Sequence, residues 1–118
     1  MTTREKALAA VHTAAATGAL TVAALPIGWD AIALRGEEIA AIILIGSFYG
    51  AKPSKSTASG LMASGFAQMV GEKAALAALE ASHATGFGAY VIKAGIATAL
   101  IEAVGHCAAD YFEEVSAA

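Results

Sequence analysis

Six side chains have the types and spacing to do chemistry together: His12, Glu38, Glu80, His83, Glu102 and His106. Glu80 and His83 form a Glu-x-x-His pair, which puts both on one helix face. Di-iron carboxylate bundles use two such pairs plus two further glutamates, because two metals draw ligands from four helices. One pair is present here, so half of that ligand set is missing. The preferred reading of Glu80 and His83 is therefore the end of a helix at a solvent-facing turn. Glu102 and His106 are four apart and also share a face, with Asp110 one turn further on. Glu102 lies inside an apolar stretch, residues 94–109, where a dry carboxylate would need a partner. His106 is its nearest candidate in sequence, and the plainer reading puts Glu102 on a solvated face. Cys107 neighbours His106, so the two side chains diverge on a helix and make no thiolate–imidazole pair. Walker A, dinucleotide-glycine and Gly-x-Ser-x-Gly signatures do not occur. Gly86-Phe87-Gly88 reads as a tight turn rather than as an anion cradle. The expectation is a protein that is not an enzyme and takes no cofactor or metal.

Breakers divide the chain into the elements that carry these residues. Pro26 with Gly28 is the first break, Gly50 to Ser54 with Pro53 the second, and Gly86 with Gly88 the third. Glycine tolerates positive φ, and proline lacks an amide hydrogen. The spacing predicts helices over 3–24, 30–49, from the end of the cap-prone run 54–59 to 83, and 88–114, with Asp30 as an N-cap and Gly50 as a C-cap. Sustained period-two alternation is lacking, so no sheet is expected. The predicted fold is all-α, four principal helices in two antiparallel hairpins, forming one compact Ala/Gly-rich bundle over residues 1–118.

Composition fits that outline. The 118 residues are 58% apolar and 14% charged, against about 45–50% and about 25% in ordinary soluble domains. Disorder is excluded by that balance. A net charge of −3 argues against nucleic acid. Cys107, alone, cannot close an internal disulfide. Alanine fills 32 positions and glycine 12. Alanine favours helix but buries little area, so helices must approach closely. The third segment pairs a large stripe (Met62, Phe66, Met69, Leu76, Leu79) with a small one (Gly60, Ser64, Ala67, Gly71, Ala74, Ala78). In the fourth, Gly95, Ala99 and Gly105 lie near one face. These small-residue faces are candidate docking surfaces, and Gly71→Leu is expected to disrupt packing by overfilling. The expected core is Ile42, Ile45, Phe48, Met62, Phe66, Met69, Leu76, Ile96, Leu100 and Val104.

A spanning helix needs about 20 mostly apolar residues. Residues 7–29 carry no formal charge, but alanine, threonine and His12 weaken insertion. The 7–25 run is read as a structural helix of a chain retained in the cell, not as a signal peptide. Arg4, Lys6, Lys52 and Lys55 would share one side of a helical hairpin whose opposite turn has no basic residue, as the positive-inside tendency favours. Trp29 would then sit at the interface. Arg35, Glu37, Glu38, Glu72, Lys73, Lys93 and Glu102 interrupt the later helices and favour a soluble assembly.

Three stretches carry a family resemblance: Ala23-Ala24-Leu25-Pro26-Ile27-Gly28-Trp29-Asp30; the apolar run from Ile39 closing on Phe48-Tyr49-Gly50; and Gly86-Phe87-Gly88 followed by Ala94-Gly95-Ile96-Ala97-Thr98-Ala99, Gly105 and Tyr111-Phe112. In this order, over residues 12–112, they resemble the YcjF-like helical domain of unknown function. That domain often accompanies a small Era-like or dynamin-like GTPase. The resemblance implies a module associated with a membrane or a partner protein, with no catalytic residues to carry over. The proline often found before the third glycine turn is absent.

The reading is a non-enzymatic module that docks through helix faces to membrane lipid or a partner helical protein, with a GTPase on another chain as an implied partner. It would work at the cytoplasmic face of a membrane or in the cytoplasm. The alternative is a soluble homo-oligomer, and a His/Glu metal bundle stands third. Trp29, Phe48, Tyr49, Gly60, Ser64, Ala67, Gly71, Gly95, Glu102, Gly105 and Tyr111 are the interaction and packing candidates.

Overall fold

A computed structural model describes residues 2–24, 29–66, 71 and 87–117. Helix α1 spans Thr3–Ala24. It opens on a capping box. The Glu5 amide donates to Thr2 Oγ1 at 3.1 Å, and the Thr2 amide donates to Glu5 Oε1 at 3.3 Å. Helix α2 spans Trp29–Phe48. It ends in a Schellman turn: Gly50 has φ +76°, its amide donates to the Ser47 carbonyl at 3.2 Å, and the Ala51 amide reaches back to Gly46 at 3.0 Å. Helix α3, Lys55–Leu61, is capped by Ser54, which accepts from the Thr57 amide at 3.1 Å. A π-helical turn, Met62–Phe66, follows it. Helix α4 spans Phe87–Ala117. The first and fourth expected helices and the Gly50 cap stand as read; α3 starts inside the cap-prone 54–59 run rather than after it, and Asp30, expected as an N-cap, is the second residue of α2. The chain is an all-α bundle. The remainder of the expected third helix, with Ala67, Met69, Glu72, Lys73, Leu76, Glu80 and His83, lies outside the described residues.

Three contacts orient the long helices. Arg4, near the start of α1, pairs with Asp110 at 2.8 Å and Glu113 at 3.0 Å near the end of α4. Tyr49, just after α2, donates to the same Glu113 at 3.3 Å. Thus α1 runs antiparallel to both α2 and α4. Arg4 and the 50–55 connection carrying Lys52 and Lys55 consequently lie at one end of the bundle, as the hairpin reading expects.

The core forms where apolar residues recur at helical spacing. From α1 come Ala7, Val11, Ala15, Ala19 and Val22; from α2, Leu34, Ala41, Ile42 and Ile45; from α4, Ala97, Leu100, Ile101, Val104, Ala108 and Phe112. Met62 and Ala58 join from the α3 region. Close approach depends on glycine at two places. A Cβ on Gly105 would lie 2.5 Å from Val11 Cγ1, and one on Gly46 would lie 2.5 Å from Pro53 Cδ. Five expected core residues, Ile42, Ile45, Met62, Leu100 and Val104, are buried. Phe48 is not: it is 39% exposed. The α2 stripe of 34, 38, 41, 42 and 45 continues to half-buried Tyr49, which leaves Phe48 rotated outward. Ile96 is half-buried beside the core.

Candidate functional site

The small-residue faces divide on inspection. Gly105 sits at the α1–α4 contact and is buried. Gly95 and Gly60 are exposed, and a Cβ on either would meet nothing within 4 Å. Gly71 also faces open space, at φ +67°, so overfilling is not what Gly71→Leu would do. The left-handed backbone, which L side chains resist by about 1–2 kcal/mol, is the reason for glycine there. A continuous helical stripe through Gly71 is corrected by the same φ. Ser64 falls in the π-helical turn, its side chain outside the described residues, as is that of Trp29, the first residue of α2.

Glu102 does have a partner, but not the one its sequence spacing nominates. His12 Nδ1 of α1 lies 2.6 Å from Glu102 Oε1 of α4. This pair crosses the helix contact one residue from Val11. His12 is exposed and Glu102 is 28% exposed, so water screens the pair. His106, one turn along α4, is exposed. Among the described residues no group of three His, Cys, Asp or Glu side chains could hold a metal. Glu80 and His83 of the histidine–glutamate constellation lie outside them.

The burial of two charges escaped the sequence reading. Glu38 on α2 is fully buried, with Arg35 Nε 3.6 Å from its Oε1, and Lys93 on α4 is 6% exposed. The signal was available: Glu38 sits four residues from both Leu34 and Ile42, and Lys93 four before Ala97, on the core stripes. Glu37, next to Glu38, lies over Gly18 of α1, where a Cβ would come within 2.6 Å of its Oε2.

Tyr49 and Cys107 are perturbed by position. Burial, then the charge of Glu113, pushes the Tyr49 phenol up, and their hydrogen bond adds to this. Burial, then Asp110, pushes the Cys107 thiol up. A thiol held protonated is a poor nucleophile. Tyr111 is 39% exposed, its ring edge-on to Phe112 at 5.1 Å.

No family model matches the chain, and neither a curated protein nor a solved structure does.

Helices Thr3–Ala24 and Tyr90–Ser116 are long and apolar enough to cross a membrane by length and composition. On α1, the exposed residues after His12 are Thr13, Ala16, Thr17, Leu20, Thr21 and Ala24. Each of those threonines donates its hydroxyl to the carbonyl four residues back: Thr13 to Ala9 at 3.3 Å, Thr17 to Thr13 at 3.4 Å and Thr21 to Thr17 at 3.3 Å. A hydroxyl bonded to its own helix can leave water without losing its partner.

Proposed function

We propose that this protein is a non-enzymatic helical module that docks onto a membrane by apolar helix surface. One observation carries the reading. The outer face of α1 from residue 13 onward bears no formal charge, and its threonine hydroxyls are satisfied within the helix. Such a face loses little on leaving water. Arg4, Lys6, Lys52 and Lys55, at the opposite end, suit the cytoplasmic side. A GTPase on a separate chain is the partner class implied by the family resemblance; the docked module would hold it at the membrane surface.

Fractionation without detergent tests this. The chain is expected in the carbonate-washed membrane fraction. Recovery only in the soluble fraction contradicts it.

The second reading, a soluble homo-oligomer, is favoured by the His12–Glu102 pair. That pair stands at mid-height on an exposed face, where lipid would be unfavourable. A soluble species larger than the monomer would support it.

A further inference from the structure

We draw no further inference here: the strongest candidate, the exposed apolar patch of Leu20, Ile32, Val91 and Ile92 where α1 ends and α2 and α4 begin, adjoins residues outside the described ones, and nothing in the structure shows what covers it.

Discussion

At the residue scale, two of the side chains with the types to do chemistry come from different helices and meet. His12 and Glu102 join α1 to α4 across an exposed seam. Because water screens them, a double-mutant cycle with His12→Ala and Glu102→Ala should return a coupling of no more than about 1 kcal/mol. A larger coupling would mean the pair is drier than its exposure indicates. Cys107, half-buried with its thiol pushed up, should react slowly with iodoacetamide at mildly alkaline pH in the folded chain and at the ordinary rate in denaturant. Equal rates would contradict the burial. Tyr49 adds a pH dependence. Its folded value is raised by burial first and Glu113 second, so its contribution to stability is complete below the ordinary tyrosine value and declines as pH rises through the higher folded one. Glu113→Gln should move the tyrosinate absorbance of Tyr49 toward the ordinary value, and an unchanged titration would reject the contact. Sequence spacing on one helix nominated His106 for Glu102, whereas the partner came from 90 positions away. Spacing sees one helix at a time, and that is why it missed the pairing.

At the element scale, glycines carry opposite meanings. Gly105→Ala puts a methyl against stiff, β-branched Val11 and should lower stability by about 1–3 kcal/mol. Gly95→Ala, on the open face of the same helix, should raise it by about 0.5–1 kcal/mol, since alanine restricts the unfolded chain. Thermal melts of the two variants moving in the same direction would contradict the assigned faces. Caps are local, so Ser54 and Gly50 could be read from single residues, whereas Phe87 and Gly88, expected in a turn, lie in the first turn of α4. Which small residue meets a neighbour was not legible. Gly95 and Gly105 belong to the same predicted face at low resolution, and only the crossing of α1 over α4 separates them. The buried Glu38 and Lys93 were hidden for a related reason. A formal charge ordinarily marks the solvent side of a helix, and these two break that rule on the 3/4 spacing of the core stripe.

At the scale of the whole molecule, composition foretold an alanine-rich helical bundle, and the chain is one. The small side chains leave a thin core drawn from Val11, Val22, Ile42, Ile45, Ile101 and Val104, and several larger apolar groups remain outside it. Sequence alone could not show that Leu20, Ile32, Val91 and Ile92 collect at one end, since they come from three helices whose mutual direction is set by tertiary contacts. The central claim is that the uncharged outer face of α1 docks onto a membrane by the hydrophobic effect. Co-flotation of the purified chain with neutral phosphatidylcholine vesicles, at low and at high salt, tests it most directly. Hydrophobic docking predicts that the bound fraction survives high salt, because apolar burial is not screened. Absence of binding, or binding that salt abolishes, would contradict the account.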